Sequence, residues 1–225
     1  MLKFYYSAAP NPTKVALFLE EAGLPFEAIP VDTRKGDQHK PDFLAINPNA
    51  KVPAIVDGDA VVFDSSAILL YLAEKTGKFL PAKTDKARGE LLSWLFFVSS
   101  GVGPYAGQSV HFRNYAPEKL PYAIDRYSNE ARRLYGVMDQ RLARSKYLGG
   151  RDYSIADVAV FPWLRSWKNQ GIDWADYPHL KGWFDEVGAR PAVKRGVEVL
   201  AAARRPITDE RAREMLFGAT QYQRH

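Results

Sequence analysis

The sequence predicts an α/β domain followed by an all-α domain. Two observations carry this. β-type runs and helical stripes alternate through the first third of the chain, and beyond Pro81 the β signals vanish while apolar residues recur at helical spacing. A third observation sets the boundary: the polar stretch at residues 82–86 reads as an interdomain link. The predicted domains are therefore residues 1–81 and 87–225.

Within the first domain, Leu2–Tyr6 is a short β-type run. The loop Ser7-Ala8-Ala9-Pro10 leads to Asn11-Pro12, a helix start with Asn as cap and Pro in the first turn. Val15, Phe18, Leu19 and Ala22 form one apolar stripe, and Gly23 ends the helix. Residues 26–31 are the second strand; Pro30 removes a ladder donor and so assigns it to a sheet edge. Strand, helix, strand implies a parallel unit with a right-handed crossover. Residues 52–63 read as a hairpin about Asp57-Gly58-Asp59, and Asp64-Ser65-Ser66 opens a helix carrying Ile68, Leu69 and Leu72.

In the second domain a long amphipathic helix starts at Leu91, Leu92, Leu95 and Phe96 and is punctuated by Gly101, Gly103 and Pro104. Residues 123–142 form another, with Ile124, Tyr127, Ala131, Leu134, Tyr135 and Met138 inward. Ser154 and Asp157 have the spacing of a capping box, which makes Asp157 a folding residue and not a catalytic carboxylate. Shorter helices follow near residues 179–189 and 192–203, and the Arg-rich end, Arg204 to Arg224, packs on the surface or stays mobile.

The totals narrow the function. There is no cysteine, so disulfides, thiolate metal sites and a protein-borne thiol nucleophile are excluded; any thiol chemistry uses a ligand's sulfur. The four histidines, at 39, 111, 179 and 225, lack metal-ligand spacing, and no metal is expected. The net charge of +5 comes from scattered arginines, giving a solvated basic surface that attracts anions and not a nucleic-acid stripe. No apolar run is long enough to cross a bilayer, and the start lacks a secretory leader's apolar core. A cytoplasmic protein is expected.

One stretch, from Asn47 to Leu72, carries a candidate site. Ser65 or Ser66 reads first as a helix cap. The same helix mouth is also an anion site, and Asp64 beside it would attract an amine. A carboxylate receptor next to an ammonium receptor suits the α-amino-acid end of a ligand. Pro53 at a strand start leaves the Val52 N–H and C=O free to pair with an extended peptide, the more so if the bond is cis. The basic loop at residues 34–41 reads as a solvent loop. Together these features suggest a short peptide ligand.

The order and spacing of Val52-Pro53 and Asp64-Ser65 resemble the glutathione transferase family, along the chain to about Leu200. The resemblance implies a thioredoxin-like first domain that binds glutathione, and a helical second domain contributing to the second-substrate pocket. It implies that Gln38, with Lys51 and His39, holds the glycine carboxylate. The loop is most similar to the bacterial Nu class, which carries Thr-Pro-Asn where this chain has Ala9-Pro10-Asn11. The hydroxyl is gone, and Ala9 also stands where serine-type classes carry their serine. Three thiol activators remain: Ser7, if the loop bends differently; Tyr5, near the position of tyrosine-type classes; and Asn11, whose amide can face sulfur beside a helix end. Asn11 is preferred. Residues 121–127 match a segment in which Nu-class proteins carry a ligand-reaching arginine, here Arg126. Residues 103–112 with Trp163 and Trp167 could line the electrophile's pocket.

By resemblance, the activity is reduction of small disulfides with glutathione, two bound thiols replacing the missing cysteine. The alternatives are conjugation or ether and halide cleavage of electrophiles, and a non-catalytic binding module on the same fold. A homodimer binding glutathione or its disulfide is implied, without nucleic acid or membrane as partner.

Overall fold

The computed structural model describes residues 1–205, 207 and 209–222. Arg224 and His225 lie outside the described residues. The chain divides into two compact units, one of residues Met1–Tyr71 with the described residues from Ala192 onward, the other Leu72–Pro191. In chain order the elements are β1 (Leu2–Tyr6), α1 (Pro10–Ala22), β2 (Phe26–Pro30), α2 (Pro41–Leu44), β3 (Ala54–Asp57), β4 (Ala60–Phe63) and α3 (Ser65–Thr76). There follow α4 (Asp85–Phe97), α5 (Gly103–Asn114), α6 (Pro121–Leu142), α7 (Ile155–Leu164), α8 (Trp167–Gln170), α9 (Pro178–Ala189), α10 (Pro191–Val199) and α11 (Glu210–Phe217).

The first unit is built on a sheet of order β2-β1-β3-β4. β1 and β2 are parallel, with Tyr6 opposite Pro30, so the proline sits on an edge strand as its missing donor requires. β3 runs antiparallel to β1, and β3–β4 is a hairpin. β3 begins at Ala54 and not at Val52, directly after a cis Val52–Pro53 bond. Val15 to Leu19 on α1 and Ile68 and Leu69 on α3 are fully buried, so both helices supply core faces.

α10 returns to this unit. A Cβ added at Gly196 would stand 2.8 Å from Leu17 Cδ2 and 3.0 Å from the Ala16 carbonyl oxygen, so only glycine permits the approach to α1. Arg195 pairs with Glu20 at 2.8 Å across the same seam. The tail continues as α11 and a 3-10 turn at Ala219–Tyr222, with Met215 beside Gly36.

The second unit is helical. The long helix expected from Leu91 is interrupted where Gly101 and Gly103 fall: α4 gives way to a π-helical turn at Val98–Val102, then α5. A Cβ at Gly103 would meet the Trp163 indole at 3.2 Å, so the close indole packing explains the glycine. α7 is apolar apart from Asp157 and is buried almost along its length. Its capping box forms as expected. Ser154 Oγ accepts from Ala156 N at 3.3 Å, and Asp157 Oδ2 accepts from Ser154 N at 3.0 Å.

Candidate functional site

The turn entering α3 differs in detail from the sequence expectation. Asp64 caps the helix: its Oδ1 accepts from the backbone N–H groups of Ser66 (2.9 Å) and Ala67 (3.1 Å). Asp64 adopts φ +69°, a left-handed conformation that its short side chain tolerates by bonding to the local backbone. With the cap supplied by Asp64, Ser65 is released from that duty. Ser65 is buried, and its Oγ accepts a hydrogen bond from the Lys14 ammonium at 3.1 Å. Lys14, on α1, is itself only 2 % exposed. Burial pushes its pKa down to about 8, opposed by the charge of Asp64. Sequence reading missed Lys14, because a lysine inside an apolar helical stripe looks like its solvent edge.

The start of α1 also differs. The helix begins at Pro10, with Ala9 at the cap position and no side-chain cap bond. Asn11 is therefore not the cap but the second helical residue. Pro10 at the first position fixes the helical φ one residue before Asn11 can serve as the boundary. Thr13 Oγ1 donates to the Ala9 carbonyl at 2.8 Å. Asn11 is half-buried, and its amide has no hydrogen-bond partner among the described residues. Ser7 lies half-buried in the loop, its carbonyl accepting from Ala9 N at 2.9 Å. The Tyr5 ring packs edge-on to Phe43 at 6.1 Å and joins the cluster of Val31, Phe43 and Ala54, the surroundings of a core tyrosine.

The basic loop after β2 satisfies its own charges. Arg34 and Lys35 pair with Asp32, and Lys40 pairs with Asp37 at 2.7 Å. What it leaves is Gln38, buried at 2 % exposure, with Oε1 unpartnered and Nε2 at 3.2 Å from His39 Nε2. A half-turn of the amide lets His39 donate to the oxygen and frees the NH₂ for an anion. The Lys51 backbone is held by Asn47 Nδ2 at 2.6 Å, and its ammonium contacts the Gln221 side chain. Beyond it, the Val52 amide and carbonyl take no backbone partner among the described residues.

In the helical unit, Arg126 is exposed on α6 and lines a cavity of about 400 Å³ with Tyr122, Asp125, Asn129, Glu130 and Arg133. Phe112 and Tyr127 stack at 5.2 Å, and Tyr105 lies 6.3 Å from Tyr127. Trp167 packs on Trp174 at 5.7 Å, while Trp163 lies over Gly103. Among the described residues, no group of His, Asp and Glu could hold a metal ion, and no helix is long and apolar enough to cross a membrane.

A four-stranded mixed sheet with flanking helices, followed by a helical unit, is the architecture of the glutathione transferase fold. The glutathione S-transferase N-terminal domain matches residues 8–75 and the C-terminal domain residues 101–191. The chain belongs to the glutathione transferase family. It is 49 % identical over 199 residues to the disulfide-bond oxidoreductase YfcG of Escherichia coli, covering 85 % of this chain and 92 % of that one. It is similar to a Pseudomonas fluorescens family member crystallised with two glutathione bound, at 39 % identity and TM-score 0.82, covering 88 % and 92 %. A Pseudomonas putida glutathione transferase with one glutathione disulfide bound per subunit gives 35 % identity and TM-score 0.82, covering 88 % and 90 %.

Proposed function

We propose that the protein is a glutathione-dependent disulfide-bond oxidoreductase that binds glutathione or its disulfide and reduces small disulfides. The observation that carries this is the conjunction of a cysteine-free chain with two helix mouths, at Asn11 and at Asp64-Ser65, in one thioredoxin-like unit. The name of its E. coli relative and the ligands of the Pseudomonas structures support the same reading.

In this reading the γ-glutamyl carboxylate sits at the α3 mouth on Ser65, with Asp64 facing the ammonium. Val52 pairs with the cysteinyl backbone beside Pro53, and Gln38 with Lys51 takes the glycine carboxylate. Arg126, an exposed guanidinium, is a further carboxylate partner on the strength of the resemblance. A glutathione thiol, ordinarily near pKa 8.5 and mostly protonated, is deprotonated more readily beside an amide donor and a helix N-terminus. Asn11 supplies the donor and α1 the dipole; Ser7 is the second candidate. The thiolate attacks the substrate disulfide, expelling one thiolate product and forming a mixed disulfide with glutathione. A second glutathione thiolate attacks that bond, releasing the second product and glutathione disulfide. Two thiols are oxidised, one disulfide is reduced, and no protein atom changes oxidation state.

The aromatic group Tyr105, Phe112 and Tyr127 favours a second reading, conjugation of an apolar electrophile, with residues 87–225 supplying that pocket. We assign the protein to the cytoplasm and, by resemblance, expect a homodimer. Parallel assays with 2-hydroxyethyl disulfide and an aromatic halide separate the two readings. The proposal expects turnover of the disulfide at least tenfold above the halide. The reverse ratio overturns it, and no binding of glutathione by thermal shift marks a non-enzyme.

A further inference from the structure

We propose that Lys14 is a positioning residue for glutathione, holding the Ser65 hydroxyl as a hydrogen-bond donor and backing the α3 mouth with a positive charge. This rests on the reading that Ser65 receives the γ-glutamyl carboxylate. Three observations support it. Lys14 Nζ donates to Ser65 Oγ at 3.1 Å, and both side chains are buried. A hydroxyl that accepts from an ammonium turns its proton elsewhere, and a ligand carboxylate is the acceptor such a donor suits. Asp64 performs the capping of α3, so Ser65 has no competing obligation to the helix backbone.

A lysine is costly to bury, and an aliphatic residue at this point of α1 would continue the apolar run from Val15 to Leu19. The charge is explained if an anion docks above it. The charge of Asp64 raises the proton affinity of Lys14 while desolvation, the larger effect, lowers its pKa to about 8. A bound carboxylate adds to the effect of Asp64. Ligand and proton on Lys14 therefore stabilise one another.

The test uses calorimetric titration of S-methylglutathione, which carries no thiol to titrate, into the full chain and its Lys14→Met, Ser65→Ala and doubly substituted forms. At pH 7 each single variant is expected to bind about tenfold more weakly. The double variant loses little more than either alone, because Lys14 acts through Ser65. The ratio of variant to parental Kd for Lys14→Met falls towards one as pH rises from 7 to about 9.5, the ligand's own ionisation being common to both. Should Lys14→Met not fold, the parental protein suffices. The ¹³Cε resonance of Lys14 titrates with a midpoint that saturating ligand raises by about one pH unit. A Lys14→Met protein within twofold of parental affinity, beside a Ser65→Ala protein that has lost binding, overturns the role of Lys14 alone. Unchanged affinity in both overturns the underlying site as well. A Lys14 midpoint indifferent to ligand overturns the proposal in either case.

Discussion

Among the described residues each unit deeply buries one acidic or basic side chain, and the two differ in what surrounds them. Asp157, in the helical unit, is fully buried and accepts four hydrogen bonds: from Leu148 N and Trp183 Nε1 on one oxygen, from Ser154 N and Oγ on the other. Lys14, in the first unit, donates to Ser65 at the mouth of α3. Asp157 joins a loop, a cap and a distant helix, so its hydrogen bonds work for the fold. Lys14 holds the Ser65 hydroxyl at the helix mouth proposed to receive the ligand. The same burial thus serves the fold at Asp157 and, on the proposal above, the ligand at Lys14.

The largest expected effect lies with Asp157. Asp157→Ala leaves four buried donors without an acceptor and is expected to destabilise by about 3–5 kcal/mol, enough to unfold much of the population in a denaturant titration. Glutathione binding by the protein that remains folded should be unchanged. Burial raises the Asp157 pKa to about 6. The folded state therefore binds more protons than the unfolded one between about pH 4 and 6, and the stability due to this group falls as pH climbs through that window.

Lys14→Met should move stability the opposite way. With the folded pKa at about 8, below the ordinary 10.5, the native state holds fewer protons in that interval, so stability rises with pH from about 8 to 10.5. At pH 7 the buried ammonium costs roughly 3 kcal/mol by this measure, and removing it should raise the melting temperature while binding weakens. A fall in both would place Lys14 with Asp157 as a folding residue.

Asn11→Ala sharpens the comparison at the other helix mouth. It removes no cap, since Ala9 holds that position, so melting should shift little. Turnover of 2-hydroxyethyl disulfide should drop by about ten- to a hundredfold at unchanged glutathione affinity, the signature of a donor acting on the thiolate. The smallest effect concerns the tail. Gln221→Ala releases the Lys51 ammonium and should tighten glutathione binding by about two- to threefold in the same titration.

Much of the fold was legible because its signals are local. The edge position of Pro30, the hairpin at Asp57-Gly58-Asp59 and the Ser154–Asp157 box each follow from one or two residues and their backbone demands. The return of α10 to α1 was not legible, since Gly196 fitting over Leu17 is a contact between residues far apart in sequence. At the candidate site, Asp64, Ser65, Gln38 and Val52-Pro53 were proposed by motif. Their division of labour was not, because a Ser and an Asp at a helix mouth compete for one role and only the backbone angle at Asp64 decides. Lys14 stayed hidden for the same reason: its hydroxyl partner lies 51 residues away.

The most direct measurement of all is the affinity of glutathione disulfide for Ser65→Ala beside the parental protein, by calorimetry, with melting temperatures recorded on both. The account expects saturable binding by the parental chain, and in the variant, still folded at the titration temperature, a Kd at least about tenfold higher. Equal affinities would contradict it.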